Sequence, residues 1–211
     1  MSTDKHIDRI CIIITVIAIL ITVMFMNGEK LGIKKIVDED AEYYSDLANF
    51  TAKDQNGEWD STDATGIALN GDDAEISGNG AYVLNGSVII TNAGYYVVSG
   101  TLTNGYIGVD AYISSKVWIK LDGVNITNKD NACIRVEEAD KVFLTLAEGS
   151  ENFLTSGSEI SATALADGTG GVIFAHDDLT INGSGSLTIV SSYKHGIDAN
   201  DDLIITGGKI N

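Results

Sequence analysis

From Ile67 onward, short apolar runs alternate with polar residues. They include VIIT at 88–91, YYVVSGTL at 95–102, YIGV at 106–109, VWIKL at 117–121, IRV at 134–136 and VFLTL at 142–146. Apolar positions two apart, β-branching and boundaries of Gly, Asn and Asp predict strands. One face of each strand turns inward, while Lys120, Thr145 and Thr180 face the other way. Each unit is one short strand, a polar corner and a second strand. The corner shortens along the chain, from YISSK to EEADK to HDD to NDD.

The pattern then repeats itself. VIFAHDDLTINGSGSLTIV from Val172 is echoed by GIDANDDLIITGGKIN from Gly196, so Ile173, Ala175, Leu179 and Ile181 fall on Ile197, Ala199, Leu203 and Ile205 at a shift of 24. A short period implies stacked units that each bury an apolar face on a neighbour. An antiparallel sandwich would also supply many short strands. The register-like repeat, and the absence of two-residue hairpin turns at regular places, favour an all-β, right-handed parallel β-helix (a solenoid). Residues 147–170 break the period and read as a projecting loop.

The N-terminal part differs in kind. Ile10–Met26 is an uncharged run of 17 residues behind Lys5 and Arg9, which at about 1.5 Å per residue reaches the short end of a bilayer span. No small-x-small cleavage site follows it, so one N-terminal transmembrane helix acting as a signal-anchor is expected over residues 1–27. Residues 28–66 read as a polar linker, and 67–211 as the β-helix domain, expected to be truncated at its C-terminus. The domain is expected to lie outside the cell.

Composition narrows the functional classes. Thirty acids against thirteen bases leave a net charge of −17, and there is no proline. The turns therefore fall to Gly, Asn and Asp. Such a charge argues against nucleic acid as a partner and suits a solvated surface or divalent cations. The two cysteines, Cys11 and Cys133, make no disulfide framework or metal pattern.

Several segments are similar to a bacterial carbohydrate-binding β-helix family, a calcium-binding, polysaccharide-lyase-like module for cellulose and acidic sugars. They are GIALNGDDAEISGNG, VIITNAGYYVVSGTLTNGYIGVDA, VWIKLDGVNITN, ADKVFLTLAEGSENFLTSG, HDDLTINGSGSLTI and KHGIDANDDLIITGGKIN, spanning about residues 67–211. The resemblance implies a right-handed parallel β-helix at the cell surface, bound calcium, and glycan binding without demonstrated turnover.

Stacking at about 4.8 Å would set Asp177 over Asp201 and Asp178 over Asp202, with Asp198 nearby. Carboxylates so close attract a cation or raise one another's pKa, and Ca²⁺ takes six to eight oxygens. The five aspartates form the candidate calcium ladder. The other reading is that Asp before a strand makes Asx turns. His176, Tyr193, Lys194, His195 and Asn200 surround the ladder and are the candidate sugar-binding residues. The leading functional expectation is a membrane-anchored, non-catalytic module for plant-type or acidic polysaccharide, of the cellulose or polyuronate class. A stiff adhesive rod is the rival, and a pectate-lyase-like enzyme, with Lys194 as its only nearby base, is the third reading.

Overall fold

The computed structural model describes residues 44–45 and 48–211. Strands β1 (Tyr44–Ser45) and β2 (Ala48–Asn49) form a small antiparallel pair, followed by the one-turn helix α1 (Ala52–Gln55). Then come β3 (Thr65–Gly71), β4 (Asp73–Ser77), β5 (Ala81–Leu84), β6 (Ser87–Ile90), β7 (Gly94–Leu102) and β8 (Ile107–Asp110). The long β9 (Lys116–Asn128) precedes β10 (Ile134–Glu138), β11 (Lys141–Leu146) and β12 (Glu151–Ser156). After helix α2 (Ala162–Ala166) follow β13 (Gly171–Ala175), β14 (Asp178–Gly183), β15 (Ser186–Val190), β16 (His195–Ala199), β17 (Leu203–Ile205) and β18 (Lys209–Ile210).

Two large sheets result. One has the order β16-β13-β10-β8-β6-β5. The other runs β17-β14-β11-β9-β12-β15-β18, with β7 and β3 continuing from β9 and β4 from β3. The 24-residue echo is realised as parallel pairing, with Ile173 opposite Ile197, Ala175 opposite Ala199, Leu179 opposite Leu203 and Ile181 opposite Ile205. Inward residues stack into apolar columns. Val88, Ile107, Ile134 and Ile173 form one, and Tyr96, Ile119, Leu144 and Ile181 another; all eight are buried.

The expected right-handed parallel β-helix is corrected by this topology. The sheets are mixed, and no closed solenoid is evident among the described residues. The chain reverses at two-residue turns that the sequence reading passed over. Gly71-Asp72 joins antiparallel β3 and β4, and Asn85-Gly86 joins antiparallel β5 and β6. Gly71 (φ 71°), Asn85 (φ 50°) and Gly86 (φ 77°) take the left-handed conformation that tight hairpins demand and that Gly and Asn adopt at least cost. Among the described residues no helix is long and apolar enough to cross a membrane, and the expected span at 10–26 lies outside them.

The stretch expected to be a loop at 147–170 contains β12, paired in parallel with β9 and β15. Its inward positions are Asn152, Leu154 and Ser156, so the apolar signal is nearly absent. Asn152 replaces it with polar bonds, accepting from the N–H groups of Gly123 (3.1 Å) and Val124 (3.0 Å) and donating to the Ser186 carbonyl (3.0 Å).

Candidate functional site: an aromatic column ending in a cleft

Tyr95, Trp118 and Phe143 occupy the same register position on β7, β9 and β11. Parallel strands lie about 4.8 Å apart, so three rings at one position must stack. Their centroids are 4.8 Å apart for Tyr95–Trp118 and 5.0 Å for Trp118–Phe143, with interplanar angles of 23° and 5°. Stacking turns most ring faces toward one another. Phe143 is 1 % exposed and Tyr95, the last ring, 43 %. The column is a scaffold whose end, Tyr95, meets solvent.

Residues 51–59 pack along the outer side of this column. Thr51 and Asp54 cap α1 reciprocally: Thr51 N–H donates to Asp54 Oδ2 (2.9 Å), and Asp54 N–H donates to Thr51 Oγ1 (3.2 Å). The other Asp54 oxygen accepts from Thr180 Oγ1 (2.6 Å) and pairs with Lys141 Nζ (2.9 Å). Burial opposes ionisation of Asp54, but the bonds from Thr180, Lys141 and Thr51 outweigh it and hold the carboxyl below its ordinary range. Further along, Trp59 lies 5.0 Å from Tyr95, tilted by 46°. Its indole N–H donates to Thr145 Oγ1 (3.2 Å), and Lys120 Nζ sits 4.1 Å from its ring centroid.

A cleft of about 370 Å³ opens at the Tyr95 end, lined by Asp63, Asn79, Asn92 and Tyr95 over Tyr96. Tyr96 is buried and donates its hydroxyl to the Asn92 carbonyl (2.8 Å); burial pushes this phenol above the ordinary tyrosine range, so it remains a neutral donor. Thr65 Oγ1 donates to the Asn79 carbonyl (2.8 Å) and accepts from the Asn79 N–H (3.1 Å), fixing the turn at 78–80. The lining holds one carboxylate and no Lys, Arg or His.

The residues singled out from sequence lie elsewhere. Asp177 Oδ2 accepts from Ala139 N–H (2.9 Å) and Asp178 Oδ1 from Asp202 N–H (3.3 Å), so both act on backbone groups at corners. Asp178 is held above the ordinary carboxylate range, first by burial and then by the charges of Asp202 and Asp201, against the pull of the Asp202 N–H and Lys141. Asp198 lies opposite Phe174 in the sheet, and Asp201 and Asp202 are exposed. Among the described residues no three His, Cys, Asp or Glu side chains converge as metal ligands.

His176 and Asn200 do meet, with Nδ1 and Nδ2 3.0 Å apart, and His176 Nε2 is 3.8 Å from Glu137 Oε2. Lys194, at φ 49°, lies 5.1 Å from the ring centroid of its neighbour Tyr193. The His195 N–H bonds the Gly170 carbonyl (3.0 Å). The sequence reading missed Trp59, Asp63, Asn79, Asn92 and the aromatic column. A signal existed for part of the column: Trp118 and Phe143 each stand at an outward position between inward apolar residues.

Residues 84–211 match the family described as carbohydrate-binding domain-containing protein. A protein of that description from Acetivibrio thermocellus is 39% identical over 133 residues, which is 63% of this chain and 46% of the relative. The chain thus spans about half the length of that curated relative. Among solved structures, the gadolinium derivative of the polysaccharide lyase-like protein from C. thermocellum is similar, with a TM-score of 0.67 and 36% identity over 70% of this chain and 60% of that one. Cleft residues Asn92 and Tyr95 fall inside the matched region, whereas Trp59, Asp63 and Asn79 precede it. With more than half its length matched, the chain belongs to the family of carbohydrate-binding domain-containing proteins.

Proposed function

We propose that this chain is a non-catalytic glycan-binding module that works outside the cell. The observation that carries the reading is the exposed Tyr95 ring, fixed by the column behind it and bordered by Asp63, Asn79 and Asn92. A pyranose has an apolar C–H face and a rim of hydroxyls. An aromatic ring matches the face, and carboxylate and amide groups match the rim. Plant-type polysaccharide is the substrate class this reading adopts from the resemblance.

Affinity electrophoresis against soluble cellulose derivatives, xylan and polygalacturonate tests the proposal. The wild-type chain is expected to be retarded by at least one of them, and Tyr95→Ala to migrate freely. A stiff adhesive rod would be retarded by none. Release of unsaturated uronides from pectate, read by absorbance, would instead establish a lyase.

Calcium enters this reading through the resemblance alone, and no binding step is routed through it. Calorimetric titration of metal-free protein decides its place: heat of Ca²⁺ binding that Asp178→Asn and Asp202→Asn abolish would put an ion on the ladder. Silence there leaves those aspartates as corner caps.

A further inference from the structure

We propose that Asp63 sets the ligand class of the cleft, making it a site for an uncharged pyranose and closing it to uronates. This rests on the glycan-binding reading above. The volume of about 370 Å³ lies at the low end of small-molecule sites, roughly 300–1,000 Å³, so the cleft encloses a short stretch of sugar rather than a long chain. Within it the polar groups are unequal. Asp60, close by, is committed to Thr62, accepting from its N–H (2.9 Å) and Oγ1 (2.6 Å). Asp63 is exposed, and no hydrogen bond or ion pair among the described residues engages its carboxylate. It therefore offers two oxygens, with about four lone pairs, to hydroxyls lying over Tyr95.

Electrostatics set the preference. A uronate carboxylate in the cleft would face Asp63 as a like charge, in a protein of net charge −17 and with no base in the lining. The lysines of this face do not line the cleft and are engaged along the aromatic column. Lys120 donates to the Trp59 carbonyl (3.2 Å) beside the indole, Lys53 lies 5.8 Å from the Trp118 ring centroid, and Lys141 pairs with Asp54. A neutral sugar meets only the favourable half of this arrangement, since hydroxyl-to-carboxylate bonds are charge-assisted.

The test is calorimetric titration of the full chain, in a detergent without a sugar headgroup, with two probes of equal length: a β-1,4-linked glucose tetrasaccharide and tetragalacturonate. The wild type is expected to bind the glucose probe at least about tenfold more tightly, the ratio one charge-assisted hydrogen bond supports. Asp63→Asn keeps the shape and one acceptor oxygen and removes the charge. It should narrow the ratio by at least about fivefold, mainly by admitting the uronate. Asp63→Ala should weaken the glucose probe about tenfold without moving the melting temperature.

Equal or tighter binding of tetragalacturonate by the wild type, or a ratio that Asp63→Asn leaves unchanged, overturns the inference. Binding of neither probe, with Tyr95-dependent retardation by polysaccharide intact, overturns it too and leaves the glycan-binding reading standing. Loss of retardation by every polysaccharide sinks that reading instead.

Discussion

Lys141 Nζ lies 2.9 Å from Asp54 Oδ1, in an ion pair whose side chains are 13 % and 1 % exposed. The pair joins residues 87 positions apart (141 − 54) and fastens the segment at 51–59 to the outer side of β11 and β14. Its carboxylate is also the N3 group of the α1 capping box and the acceptor for Thr180. One side chain thus holds a helix end, a strand and a lysine together.

Asp54→Ala is expected to destabilise the domain by roughly 3 kcal/mol, because it strands the Lys141 ammonium and removes the cap. Urea unfolding at pH 7 measures it. Asp54→Asn should cost less, since an amide oxygen still accepts from Thr180.

The same carboxyl gives a pH dependence with a definite sign. Its folded-state value is depressed, so its contribution is fully present above the ordinary unfolded carboxylate value of about 3.9 and is lost as pH falls through the lower folded value. The stability gap between wild type and Asp54→Asn should therefore be constant from pH 7 to pH 5 and close below pH 4. A gap that does not narrow at all as pH falls below 4 would contradict the ion pair.

Asp178 behaves in the opposite sense. Burial and the charges of Asp202 and Asp201 raise its folded value, so ionising it works against the fold, and stability recovers as pH falls through that raised value. In chelator at low salt and pH 7, Asp178→Asn is expected to raise the melting temperature by a degree or so (order of magnitude), because the amide can still accept from the Asp202 N–H. The gain should disappear at pH 3. A lower melting temperature at pH 7 would mean that the Asp178 charge contributes to stability.

These cases show what local pattern reveals. The pairing of Ile173 with Ile197 and of Leu179 with Leu203 was legible because inward residues of stacked strands must all be apolar. Asn85-Gly86 was equally legible as a hairpin turn, yet the repeat elsewhere outweighed it, and the topology was read as uniformly parallel. β12 was hidden because Asn152 and Ser156 take inward positions usually held by apolar residues. The outward position of Trp118 was readable, but its stacking depends on strands whose order only the fold sets. Nothing near Asp54 in sequence points to Thr180, 126 residues away, and nothing near Asp63 points to Tyr95.

The column separates stability from binding. Phe143→Ala removes a ring that is 1 % exposed and should cost about 3–5 kcal/mol in unfolding experiments. Tyr95→Ala removes the exposed end ring with its contacts to Trp118 and Trp59 and should cost less, about 1–2 kcal/mol, while weakening glycan binding about 30-fold, as truncation of a central aromatic contact does. Tyr95→Phe should bind nearly as well as wild type, because the ring face makes the contact. If the two truncations lose stability equally, the column is not the graded scaffold described above.

Gly80→Ala tests the cleft through its backbone. A Cβ there would stand 2.4 Å from Tyr96 Oη, at a φ of +85°. The phenol could give way only by breaking its bond to the Asn92 carbonyl, since it is held in the buried floor. The clash should cost about 1–3 kcal/mol and the left-handed backbone about 1–2 kcal/mol more. Tyr96→Phe in the same background removes the clashing oxygen and should recover part of the loss. If Gly80→Ala unfolds like wild type and binds glycan unchanged, the turn at 78–80 is not the wall of the site.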